Sequence, residues 1–280
     1  MPDAGLPNLC VRPSAQRCSL SKGRCSFEGT TWCGMEWDVW VVARALLSPH
    51  HRVLELGARY GTTSCVLANL TGNGGRVVSA EPDPRVHKLL LHNRKVNSCS
   101  FHAWLGSFST TPLALQHTGS RYRPGYETTF APLTLRTQAN AVPNLASLDA
   151  LEAVAGMRIN AAVLDCEGCI ETVWGTGLFE RIDLLIMEED GPRPPMNYTH
   201  IHERLRSFGL EPIWRWLGSS AEEFSAWRRR GTAREAPSCR QYAARMGSRW
   251  GAEPVGCLPL HRIYSYEHTH PPHPTLRERG

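Results

Sequence analysis

The chemistry in this chain is carried by acids that follow short apolar runs. Glu55 sits inside Leu54-Glu55-Leu56, which opens into the turn Gly57-Ala58-Arg59-Tyr60-Gly61-Thr62. Glu81 closes Val77-Val78-Ser79-Ala80-Glu81, twenty residues after Gly61. Asp165 and Glu167 close Val163-Leu164-Asp165-Cys166-Glu167-Gly168, and Glu188, Glu189 and Asp190 end Leu184-Leu185-Ile186-Met187. Glycines at a strand-to-helix turn let the backbone take unusual dihedrals and come close to a ligand. A carboxylate at the end of the next strand can accept both hydroxyls of a ribose diol. An acid two residues before Gly57 repels a diphosphate and attracts a cation. Paired acids at a strand end can position a hydroxyl nucleophile or take its proton.

Plainer roles stand beside these. A G-x-x-x-G turn also serves simply to pack a helix, Glu167 can cap a helix starting near Gly168, and Glu188 to Asp190 read as solvated loop acids. The turn lacks the second and third glycines of the dinucleotide pattern G-x-G-x-x-G, which counts against a nicotinamide-dependent oxidoreductase. Glu55, Gly57, Gly61 and Glu81 together fit S-adenosylmethionine better, because its amino group and sulfonium both attract negative charge. His102 and His117 are rival bases. Asp165, Glu167 and Glu188 offer hard oxygen donors for Mg²⁺, but their spacing demands no metal, and none is expected. A non-catalytic binding module is the remaining rival, and it would have no use for these acids.

The elements that must hold these residues alternate. The spacing predicts helices over Glu36–Leu47, Thr62–Leu70, Pro84–Asn97, Ser147–Ala155, Ile170–Trp174 and His200–Phe208. It predicts strands over Arg52–Leu56, Arg76–Ala80, Ser100–Leu105, Asn160–Asp165, Ile182–Glu188, Leu210–Trp216 and Arg262–Tyr266. Strands apolar on both faces, separated by helices, indicate a doubly wound, mostly parallel α/β sheet. Residues 106–141 and 218–257 break the rhythm and read as irregular insertions, the first a lid. Residues 1–35 form an irregular cysteine-bearing leader, 36–266 the main domain, and 267–280 a disordered tail.

At 280 residues the chain is long enough for one large domain without disulfides. Its net charge of +5 is almost all arginine, with the one run Arg228-Arg229-Arg230 read as a solvated helix end, so no nucleic-acid partner is expected. No apolar run reaches the roughly 20 residues of a membrane span. Of ten cysteines, Cys10, Cys18, Cys25, Cys33, Cys239 and Cys257 lie toward the ends. They fit disulfides of an oxidising compartment better than the tight pairs of a zinc site, and the sequons at Asn69 and Asn197 are compatible with a secretory lumen. The absence of a signal-peptide pattern points instead to the cytoplasm.

The ordered set Leu54–Thr63, Ala80–Pro84 with Asn93 downstream, Ser147–Leu151, Leu164–Gly168 and Ile186–Glu188 resembles the FkbM-type family of S-adenosylmethionine-dependent methyltransferases. The resemblance covers about residues 50–190. It implies a seven-stranded, Rossmann-like class I methyltransferase fold and O-methylation of a hydroxyl on a sugar (a glycan included) or other small molecule. It implies that Glu55, Gly57, Gly61 and Glu81 bind the cofactor, with Ala58, Tyr60, Thr62 and Pro82 beside them, and that Asp165 and Glu167 lie at the methyl-transfer pocket. Where the family pattern reads D-x-E-G-x-E, this chain has Ile170 in the last place and Glu171 next.

Overall fold

The computed structural model describes residues 27–28, 37–117, 128–166, 168–189, 196–217 and 223–232. The predicted leader (Phe27 and Glu28 apart), the strand at 262–266, the tail, the terminal cysteines and Glu167 lie outside the described residues.

Seven strands form one sheet: β1 (Val53–Leu56), β2 (Val77–Glu81), β3 (His102–Leu105), β8 (Ala161–Leu164), β9 (Leu184–Glu189), β10 (Leu210–Leu217) and β11 (Glu223–Arg229). Their order is β10-β11-β9-β8-β1-β2-β3, and the pairs from β9 through β3 are parallel. Strand β11 alone runs against its neighbours, lying antiparallel to both β9 and β10. The expected doubly wound, mostly parallel seven-stranded sheet is therefore present. The chain winds outward from β1 to β3 and then returns to β8 on the other side of β1. That reversal leaves a crevice at the carboxyl ends of β1 and β8, the place where such sheets bind ligands.

Side-chain alternation along the central strands builds two cores. Val53, Val77, Val163 and Ile186 pack with α1 (Trp37–Leu46), α2 (Thr62–Leu70) and Leu90 of α3 (Pro84–Val96). Leu54, Val78, Leu164 and Met187 pack on the other face with α4 (Leu148–Ala155), α5 (Leu178–Arg181) and α6 (Tyr198–Ser207). The caps are those the residue types favour: Asp83 accepts from the Arg85 N–H ahead of Pro84, Ser147 from Ala150, and Asn197 from His200.

Four expectations need correction. The stretch 106–141 is not wholly irregular: it contains β4 (Ser107–Phe108), which pairs with β7 (Asn144–Leu145), and a hairpin of β5 (Leu113–His117) and β6 (Thr128–Pro132). The helix predicted at Ile170–Trp174 is a single 3₁₀ turn, Cys169–Thr172, because Gly175 and Gly177, both at positive φ, end any regular helix there. Strand β11 and helix α5 were not predicted. The arginine run is a strand end, where Arg229 donates to the carbonyls of Ile182, Phe208 and Phe179.

Candidate functional site

Strand β1 delivers the glycine turn to the crevice. Gly57 has φ +94°, and a Cβ there would lie 1.7 Å from the Asp165 carbonyl oxygen, so no other residue fits between β1 and β8. Ala58 N–H donates to the Ala80 carbonyl at 3.1 Å and Gly61 N–H to the Ala58 carbonyl at 2.8 Å, which folds the turn back over β2. Gly61, also at positive φ, starts α2. Asn93, fully buried on α3, donates to the Tyr60 carbonyl at 2.8 Å and exchanges two hydrogen bonds with the backbone of Glu28.

Strand β2 delivers Glu81 to the same place. Its Oε2 accepts the Arg59 N–H at 2.9 Å and its Oε1 the Asp83 N–H at 2.8 Å. Burial pushes its carboxyl up to about 7 even though both backbone N–H groups favour the charged form. Each carboxylate oxygen keeps acceptor capacity beyond the one bond it makes.

The cleft is lined by Gly57, Arg59, Glu81 and Pro82 on the side of β1 and β2. Leu56, Ala80, Phe108 and Leu113 give it an apolar wall, with Gly106 and Ser107 beside them. Asp165, Cys166, Cys169 and Thr172 form the side beyond β8. Of the predicted residues, Gly57, Glu81, Pro82 and Asp165 come together here. Ala58, Tyr60, Gly61 and Thr62 shape the turn from behind and do not line the cleft. Glu55 lies beneath the turn, 1% exposed, and accepts the Ser64 hydroxyl at 2.6 Å. Glu189 is not among the residues lining the cleft and meets His202 of α6 at 2.9 Å, both side chains buried.

Sequence reasoning passed over Arg59, Ser107, Phe108, Leu113 and Thr172. Arg59 lay inside the turn motif, and the contribution of 106–113 had its signal in the break of rhythm there. Cys166 and Cys169 form a disulfide, as do Cys65 and Cys99. Among the described residues no group of three or more His, Cys, Asp or Glu side chains could hold a metal ion. Among them, too, no helix is long and apolar enough to cross a membrane.

No protein-family model matches this chain, and no curated protein sequence matches it. Among solved structures, Aeropyrum pernix fibrillarin in complex with S-adenosyl-L-methionine is similar with 14% identity and a TM-score of 0.41, over 68% of this chain and 74% of that one. The ribosomal protein L11 methylase of Lactobacillus delbrueckii subsp. bulgaricus is similar with 11% identity and a TM-score of 0.42, over 68% and 75%. The precorrin-6y C5,15-methyltransferase of Geobacter metallireducens GS-15 is similar with 11% identity and a TM-score of 0.40, over 72% and 91%. Similarity at this level leaves the functional reading to the chain's own residues.

Proposed function

We propose that this protein is an S-adenosylmethionine-dependent methyltransferase of the FkbM type, acting on a hydroxyl of a sugar or other small molecule. The observation that carries the reading is Glu81. It is a buried acid at the carboxyl end of β2, facing a cleft whose floor is the Gly57 turn. Its two oxygens are held by backbone N–H groups and can still accept a ribose diol. Leu56, Phe108 and Leu113 suit a flat heteroaromatic ring. When bound, S-adenosylmethionine supplies an already activated methyl group.

What is left for the protein is alignment and proton removal. Asp165 lines the cleft opposite Glu81 and is the residue assigned to orient the acceptor hydroxyl and take its proton. Glu167 is its assigned partner from the same motif. Glu55, through Ser64, holds the start of α2 against β1 and so keeps the turn in place. No metal enters the scheme.

Calorimetry with S-adenosylmethionine and its demethylated product tests the cofactor, and a product-mass screen against glycans and phenolics tests the acceptor. Binding of both nucleosides is expected, with turnover of one acceptor class. Asp165→Asn should lower turnover about a hundredfold or more while leaving nucleoside affinity within about twofold. Absence of nucleoside binding would end the reading. Binding without turnover on any acceptor would favour a binding module, and displacement by a nicotinamide dinucleotide would favour an oxidoreductase.

A further inference from the structure

The two disulfides among the described residues have different surroundings. Cys65, on α2, is joined to Cys99 across 34 residues of sequence; Cys65 packs inside the core, and Cys99 is half-buried against it and does not line the cleft. Cys166 and Cys169 are joined across only three, are half-buried, and both line the cleft. The entropy removed by a cross-link grows with the logarithm of the loop it closes, so the smaller ring contributes less to holding the fold. An accessible disulfide is also the kind that thiols attack first.

The small ring is joined to the binding machinery at both ends. It starts directly after Asp165, whose carbonyl oxygen packs so closely on Gly57 that a Cβ there would overlap it. It ends at the 3₁₀ turn that brings Thr172 to the cleft. Inside it, Gly168 takes φ +86°. The glycine turn and the cysteine ring thus meet backbone to backbone, and freedom gained in one is felt by the other.

We infer that Cys166–Cys169 is a thiol–disulfide exchange site that sets the cleft's affinity: the closed ring binds ligand, and reduction by a dithiol weakens that binding. The exchange site itself is independent of the proposed activity, whereas the ligand used to read affinity rests on it. A thiolate of the dithiol attacks one ring sulfur, forms a mixed disulfide and expels the other as a thiolate. The dithiol's second thiolate then attacks its own first sulfur in that mixed disulfide and expels the remaining ring sulfur as a thiolate. The Cys166–Cys169 bond gains two electrons and two protons, and the dithiol leaves as its own disulfide.

The test uses the whole chain at graded dithiothreitol concentrations, with iodoacetamide trapping. The tryptic peptide Ile159–Arg181 contains only Cys166 and Cys169, and Cys65 and Cys99 fall on two other peptides. Labelling of Ile159–Arg181 should precede labelling of the Cys65 and Cys99 peptides. Calorimetry with S-adenosylhomocysteine, in protein where only this ring is open, should give an affinity lower by about fivefold or more. Reoxidation should restore it. Cys166→Ser/Cys169→Ser should match the reduced protein and ignore dithiothreitol. Simultaneous or reversed labelling overturns the exchange site. Equal affinity in both states, or a double variant that still responds, overturns the coupling. No nucleoside binding in either state sinks the methyltransferase reading and the coupling with it, and the labelling order still decides the exchange site.

Discussion

Glu81 carries two consequences of opposite sign. In the fold its carboxyl is held at about 7, mainly by burial, against an ordinary value of 4.5. Between those values the folded chain keeps a proton that the unfolded chain has lost. Its contribution to stability is therefore complete below about pH 4.5, declines as pH rises to about 7, and is constant above. Ligand binding runs the other way, because the ionised carboxylate is the better diol acceptor. S-adenosylhomocysteine affinity should tighten from about pH 6 to about pH 8 while the urea midpoint falls from about pH 5 to about pH 7. Glu81→Gln should flatten both profiles. The sequence made Glu81 legible because an acid ending an apolar run has few structural reasons to be there. Glu55 was legible as an acid, but its place beneath the turn depends on which face of β1 meets Ser64. One residue of register decides that, and local pattern cannot read it.

Between elements, a buried polar contact joins β9 to α6. Glu189 and His202 meet at 2.9 Å with side chains only 3% and 6% exposed, and the His202 ring lies 4.9 Å from that of Trp227 on β11. Removing one partner leaves a polar group buried against apolar neighbours. His202→Ala should cost about 3 kcal/mol in urea unfolding, with nucleoside affinity little changed because neither partner lines the cleft. The elements most legible in sequence were those with caps and clean periodicity, such as α3 behind Asp83-Pro84 and α4 behind Ser147. Strand β11 was not, because its arginines and Glu223 hide an alternation in which Phe224 and Ala226 face one core and Trp227 the other. Its place in the sheet comes from pairing with β9 and β10, which is long-range information.

At the scale of the molecule, the site exists because the chain reverses between β3 and β8, which brings the turn after β1, the acid that ends β2 and the acid after β8 to one rim. The described far side of the sheet is fastened by Arg229, whose guanidinium donates to three carbonyls, on α5, just before β9 and after α6, at 2.7–3.0 Å. Arg229→Ala should lower stability by about 2–4 kcal/mol in equilibrium unfolding, and Arg229→Lys should recover only part of it because lysine lacks the planar fork. The position of β11 has a last consequence, for the order of events at the ribosome. Strand β9 is made well before β11, yet β11 is its neighbour on that side, and the first four residues of β9, Leu184, Leu185, Ile186 and Met187, are all apolar and buried. Until Arg229 has cleared the exit tunnel, the nascent chain carries an unpaired hydrophobic sheet edge. The parallel half of the protein can assemble early, but its β9 edge stays open until β11 arrives to close it.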